Sequence, residues 1–226
     1  MTRAAEALPK DVHLAVIGAG ALGCTLLPRL IRHPLEALTV VDGDLVEQRN
    51  LDRQDLFAAV DIGRPKASVA AAWLRNAPGS VKVAALDAFI SPANAEEVIR
   101  MHDLVVDLTD DAHARRLIDR TCAAYGVALV SAAVHGTQGQ VIVLHAPGPG
   151  EELLSADLFP GSIGPEQDGC DMRRVPDAVV QAVAGRTALR VRQLLQGEAV
   201  CNGHIDLYDH ATGHWTELTP AATSVR

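Results

Sequence analysis

Short apolar runs and amphipathic stretches alternate along this chain. Residues 12–17 form an aliphatic run, interrupted by His13, that closes on Gly18, Gly20 and Gly23. An apolar-periodic stretch at 24–31 follows, then a second buried run at 38–41 closed by Asp42 and Asp44. A polar segment, 47–54, leads to a helix expected over 65–76, where Val69, Ala70, Trp73 and Leu74 recur on one face. Pro78 and Gly79 end it. Next come a strand at 81–85, a helix at 92–101, a strand at 104–106 running into Asp107, and a helix at 112–125 stopped by Gly126. Strands are expected at 127–131 and 140–145. The glycine- and proline-rich connection 147–175 is long for a compact domain, which marks it as functional or mobile. A helix over 177–196 and a hairpin over 204–218, turning at 210–213, complete the chain.

Strands alternating with helices predict an α/β fold: a Rossmann-like, doubly wound, mostly parallel sheet with a C-terminal β-hairpin, in one domain over 1–226. Ligands of such sheets sit at the carboxyl ends of strands, here at Gly18, Asp42 and Asp107. Aromatics make up only 3% of residues, so the core must be Ala, Val, Leu and Ile, as suits strands buried on both faces. The net charge of −8 disfavours nucleic acid, which needs a basic footprint. Residues 1–10 hold no apolar signal core, and the apolar stretch 12–31 is broken by glycines and Pro28, so neither secretion nor a membrane span is expected. Cys24, Cys122, Cys170 and Cys201 stand without paired spacing, as in a cytoplasmic protein with free thiols.

The chemistry concentrates in three places. Gly18, Gly20 and Gly23 have the G-x-G-x-x-G spacing that lets backbone approach a phosphorylated ligand at a helix N-terminus. Asp42, nineteen residues past Gly23, is placed to accept ribose hydroxyls. These two features suit NAD as well as ATP, and a bare tight turn is the plain alternative. If the second half of the polar segment is helical, Asn50, Arg53 and Gln54 share a face and form either a phosphate grip or a solvated turn. Arg64 and Lys66 flank Pro65 at the expected start of a helix, where cations are unfavourable unless an anion occupies the space. Asp107, Asp110 and Asp111 crowd the end of the fourth strand, either holding Mg²⁺ beside substrate phosphates or capping the next helix. Cys201, His204, His210 and His214 mimic zinc-ligand spacing. Six residues of extended strand span about 20 Å, so His204 and His210 cannot share an ion and read as surface histidines.

Asp42-x-Asp44 followed by Asn50-Leu51-x-Arg53-Gln54 resembles the signature of the ThiF/MoeB/HesA family, relatives of ubiquitin-activating enzymes. Residues 63–67, with Lys66, and 107–111, with Asp110, match its next motifs, and the likeness runs over about 12–218. It implies an ATP-dependent adenylyltransferase. A carboxylate, usually the Gly-Gly tail of a small ubiquitin-like sulfur-carrier protein, attacks the α-phosphate to give an acyl-adenylate and pyrophosphate. The family's roles fall on Arg53, Lys66 and Mg²⁺ at Asp110 for charge neutralisation, on Asn50 and Gln54 for orientation, and on Asp42 and Asp44 for ribose and metal. Cys170 matches the cysteine that in ThiF-like members bonds to the activated carrier, though an unreactive loop thiol is the plain alternative.

Three departures stand out: Asp111 replaces the family's Asn, Arg3 alone is left to supply an N-terminal arginine across a homodimer, and no CxxC pair exists for zinc. The other readings are an NAD-dependent oxidoreductase, a silent nucleotide-binding partner, and an enzyme adenylating a small molecule, a peptide or a modified tRNA base. The acidic charge makes the RNA substrate least attractive.

Overall fold

The structure, a computed structural model, describes residues 8, 11–78, 81–150, 152–158 and 175–220. Eight strands form one sheet. The first five are β1 (His13–Ile17), β2 (Ala37–Val41), β3 (Lys82–Leu86), β4 (Leu104–Asp107) and β5 (Ala128–His135). The last three are β6 (Gln138–Leu144), β7 (His204–Asp209) and β8 (His214–Leu218). Their order across the sheet is β3-β2-β1-β4-β5-β6-β7-β8. β1 to β5 pair in parallel and β5 to β8 antiparallel. The expected doubly wound sheet with a closing hairpin is thus present.

Helices α1 (Ala21–Leu30), α2 (Lys66–Arg75) and α6 (Asp177–Leu195) cover one face, and α3 (Ala95–Arg100) and α4 (Ala112–Tyr125) the other. Side chains alternate across each strand. Leu14, Val16, Leu38, Val40 and Val106 pack into the first core, while Ala15, Ile17, Val41 and Val105 pack into the second. The largest fully buried side chains are Leu, Ile and Val, as the scarcity of aromatics requires.

Several boundaries differ from the sequence pattern. β5 runs on to His135 and turns at Gly136, so β5 and β6 form a continuous hairpin paired from Leu129–Leu144 to His135–Gln138. Apolar continuity stops at Ser131, but hairpin pairing keeps the strand extended beyond it. Pro65 is the N-cap of α2 and not its first residue, so the helix opens on Lys66. α3 starts three residues later than Pro92, because Asn94 accepts hydrogen bonds from Ser91 and closes a turn there. The 147–175 connection carries a short helix, α5 (Ser155–Leu158), held by Asp119, which accepts from Ser155 N and Oγ and from the buried His145.

The antiparallel end of the sheet is fastened by charge. Asp206 on β7 is fully buried and receives both Nε and Nη2 of Arg190 at 2.7 and 2.6 Å. Arg186 reaches Asp206 and Glu217 at 3.0 and 2.7 Å and lies over the Trp215 ring at 4.4 Å. His204 is buried beside them, 2.7 Å from Arg190 Nη2, which corrects the surface-histidine reading. A strand beside a helix can bury polar tips that its neighbours supply with partners, and those neighbours are distant in sequence.

Burial alone would raise the Asp206 pKa, but hydrogen bonds from Arg190 and His204 outweigh it and bring it to about 2, below the ordinary 3.8. A depressed carboxylate contributes stability that is present above its unfolded pKa and lost as pH falls through the folded one. Stability should therefore decline between about pH 4 and pH 2. Asp206→Asn, which leaves two arginines with one carboxylate, should cost about 3 kcal/mol at neutral pH. The deficit should shrink toward zero near pH 2. Urea denaturation of both proteins across this range checks it; a deficit independent of pH would contradict the assignment.

Candidate functional site

A cleft of about 1730 Å³ opens where β1, β2 and β4 end. Its wall begins with the turn after β1. Gly18 has φ +106°, and a Cβ there would lie 3.0 Å from the Leu108 carbonyl oxygen. At Gly23 a Cβ would meet the Gly18 carbonyl oxygen at 2.3 Å, so this glycine is demanded by the fold itself. Gly20 is different: a Cβ there would meet nothing within 4 Å, and the residue faces the cleft. No side chain caps α1, and its first residues line the cleft, which leaves an N-terminus suited to an anion.

Asp42 directly follows β2 and clasps this turn. Its Oδ2 accepts from Ala19 N at 2.6 Å and its Oδ1 from Asp44 N at 2.8 Å. Burial raises its pKa, and the two N–H groups partly offset that. Carboxylate oxygens have further lone pairs, so the clasp leaves Asp42 able to accept ribose hydroxyls.

The segment after Asp44 is not α-helical. A 3₁₀ turn at Gln48–Asn50 leads into further tight turns, with Arg53 N bonding to Asn50 O. Asn50, Arg53 and Gln54 nevertheless all line the cleft. Asn50 Oδ1 accepts from Glu47 N at 2.8 Å and fixes the turn. The guanidinium of Arg53 bonds to the Val175 carbonyl and to Asp177, while its Nη1 is buried with no partner among the described residues. Gln54 Oε1 is likewise buried and unpartnered. Buried polar atoms are normally satisfied, so two atoms in one wall without partners among the described residues could take a polar ligand.

Lys66 is buried at the start of α2, and its Nζ donates to Asp44 Oδ2 at 2.9 Å. Asp44 thus holds this cation at the unfavourable end of the helix. Arg64 does not join it: the side chain pairs with Asp61 at 2.5 Å.

On the opposite wall the three aspartates separate by role. Asp107 is fully buried and accepts from Thr109 N, Thr109 Oγ1 and Ser131 Oγ. Asp111 caps α4, accepting from Ala114 N at 2.7 Å. Asp110 is exposed, lines the cleft and has no partner among the described residues. Of the three, Asp110 is the carboxylate that could take a divalent cation.

Arg115, which the sequence pattern did not single out, ties this wall together by donating to Ser131 Oγ at 2.8 Å and to the Thr109 carbonyl. Its position in the first turns of α4, right after the aspartates, was the available signal. Phe89 was also missed. Its exposed ring lies over Gly43, where a Cβ would come within 2.5 Å of it. Cys170 and Arg3 lie outside the described residues. No helix among the described residues is long and apolar enough to cross a membrane.

The fold and cleft define a nucleotide-binding α/β protein of the doubly wound class, with an anion-handling wall. The ThiF family model matches residues 5–225, and the chain belongs to that family, an adenylyltransferase of the ThiF/MoeB type. It is 34% identical over 216 residues to a sulfur carrier protein adenylyltransferase of Thermus thermophilus, covering 93% of this chain and 79% of that protein. It is 30% identical to the sulfur carrier protein ThiS adenylyltransferase of Escherichia coli, over 92% of this chain and 82% of that one. The SAMP-activating enzyme E1 of Haloferax volcanii is 32% identical, over 87% and 72%. Among solved structures, E. coli MccB with ATP superposes with a TM-score of 0.77 at 14% identity, covering 96% of this chain and 66% of that one. PaaA gives 0.73 at 19%, and this chain spans 64% of its length. At these identities the structures share the fold.

Two glycine substitutions separate packing from binding. Gly23→Ala should destabilise the fold by about 1–3 kcal/mol, because its methyl group strikes backbone. Gly20→Ala should melt within a degree or two of wild type yet weaken ATP binding, as the methyl enters the cleft. Thermal denaturation beside ATP titration checks the pair; a Gly20→Ala protein that binds ATP normally would contradict this use of the turn.

Proposed function

We propose that this protein uses ATP to adenylate the C-terminal Gly-Gly carboxylate of a small ubiquitin-like sulfur-carrier protein, releasing pyrophosphate. The observation that carries this reading is that Arg53 Nη1 and Gln54 Oε1 are buried without partners among the described residues, in a cleft that Lys66 and Asp110 also line. The cleft's 1730 Å³ exceeds the roughly 300–1,000 Å³ of a small-ligand pocket, which leaves room for a second substrate. Its floor extends over Gln138, Gln140, Leu207 and Thr216, strand positions that suit an extended peptide tail. An NAD-dependent oxidoreductase reading would leave Arg53, Lys66 and Asp110 without work.

The chemistry follows from charge. An α-carboxyl with pKa of about 3.3–3.7 is already ionised at neutral pH, so no general base is needed. A carboxylate oxygen attacks the α-phosphorus, the bond to the bridging oxygen breaks, and the electron pair leaves on pyrophosphate. The barrier is the approach of an anion to a polyanion, so positioning and neutralisation carry the rate. Arg53 and Lys66 supply positive charge, Asn50 and Gln54 orient phosphate oxygens, and Asp42 receives the ribose. Phosphates entering the cleft compete with Asp44 for Lys66. Mg²⁺, when bound, would add neutralising charge; Asp110, exposed on the cleft wall, is the carboxylate that fits it, and Asp44 lines the same cleft.

The working assembly in this reading is a cytoplasmic homodimer in which Arg3 reaches a partner's cleft, with no nucleic acid or membrane involved. Cys170 is the proposed acceptor of the acyl group after adenylation. No zinc is assigned. His204, Asp206 and Glu217 form the one metal-like cluster among the described residues, and Arg186 and Arg190 already neutralise its carboxylates.

ATP–pyrophosphate exchange with a Gly-Gly-ended carrier should require Mg²⁺ and fall about a hundredfold or more in Asp110→Ala and in Arg53→Ala. Wild-type rates in both variants would remove the assigned site, and tight NAD binding would favour the oxidoreductase. Cys170→Ala should keep exchange while losing a dithiothreitol-sensitive adduct; loss of exchange would place Cys170 in the first step. Metal analysis should find no stoichiometric zinc, and one tightly held zinc per chain would refute that assignment.

A further inference from the structure

Arg53 reaches across from the polar segment after β2 to the start of α6, a separation of 124 residues in the chain. Its Nε and Nη2 lie 3.3 and 2.9 Å from Asp177 Oδ1, and Nη2 also donates to the Val175 carbonyl. One edge of the planar guanidinium is thereby filled. The other nitrogen, Nη1, is buried without a partner among the described residues, in a side chain that lines the cleft. The two partners differ in kind. Val175 is buried and contributes backbone, whereas the Asp177 side chain is 79% exposed. A guanidinium pinned along one edge presents the opposite nitrogen in a single direction, and its planar fork makes that direction strict.

We propose that Asp177 is a positioning residue for Arg53: it holds the filled edge so that Nη1 is aimed at the phosphates of ATP. The inference rests on the adenylation reading and goes beyond it, placing a residue of α6 in the nucleotide site. It has an opposite-signed competitor. A carboxylate this close to a polyanion repels it, so if Asp177 were only a surface charge, its removal would tighten ATP binding.

The test is calorimetric titration of the full chain with ATP and Mg²⁺, without any carboxylate donor. Asp177→Asn keeps size and polarity and should weaken ATP binding roughly fivefold, the scale of a partly exposed charge pair. Asp177→Glu, which restores the carboxylate, should recover most of that loss. In the Arg53→Ala background, Asp177→Asn should have no weakening effect, because the group it orients is gone. Melting temperatures of the Asn variant should stay near wild type, since the side chain is exposed. Equal or tighter ATP binding by Asp177→Asn would overturn the proposal, as would an equal loss in the Arg53→Ala background. If the wild-type chain fails to bind ATP at all, the adenylation reading falls first and takes this proposal with it. That outcome is distinct from normal wild-type binding with an indifferent Asn variant.

Discussion

The parallel ladder at the centre of the sheet runs in register, with Ile17 level with Val41 on one side and with Asp107 on the other. Three chain segments must therefore leave the sheet side by side. After β1 the chain winds outward to β2 and β3, then returns across β1 to form β4, so the exits diverge and a crevice opens between them. Close packing at that crevice explains the glycines. The turn after β1 runs against Leu108, and the first turn of α1 runs against Gly18, at distances that exclude a side chain at Gly23. Asp42 then staples the turn to the end of β2 through Ala19 N. The uncapped helix, the staple and the opposite aspartate wall all follow from this one convergence.

Charge within the crevice is arranged as held pairs with open edges. Lys66 rests on Asp44, Arg53 on Asp177 and Val175, and Asp107 is satisfied by Thr109 and Ser131 and braced by Arg115. Each pairing keeps a charged group from collapsing onto the wrong partner, while Arg53 Nη1, Gln54 Oε1 and the Asp110 carboxylate have no partner among the described residues. In the proposed adenylation the held edge of Arg53 would need little reorganisation when a polyanion enters, whereas Lys66 would have to share its bond to Asp44. The antiparallel strands extend the same cleft sideways. They are stiffened from behind by Arg186 and Arg190, whose salt bridges to Asp206 and Glu217 fix β7 and β8 on α6.

The alternation of apolar runs with amphipathic stretches determined the fold class, because a strand buried on both faces and a one-sided helix leave unlike periodicities. Residue spacing likewise located the glycine turn, Asp42, the Asn50-to-Gln54 segment, Lys66 and Asp110, since those groups are carried on short stretches whose geometry is local. The sequence could not settle which aspartate caps α4, that His204 is buried, that β5 runs on to His135, that Arg115 lines the cleft, or that Asp177 pairs with Arg53. Each of these depends on partners far away in the chain: Arg190 for His204, β6 for β5, Ser131 for Arg115 and Arg53 for Asp177. Local periodicity encodes which way a side chain leaves the backbone, but only the packed sheet decides what it meets. A polar group's role is set by that meeting.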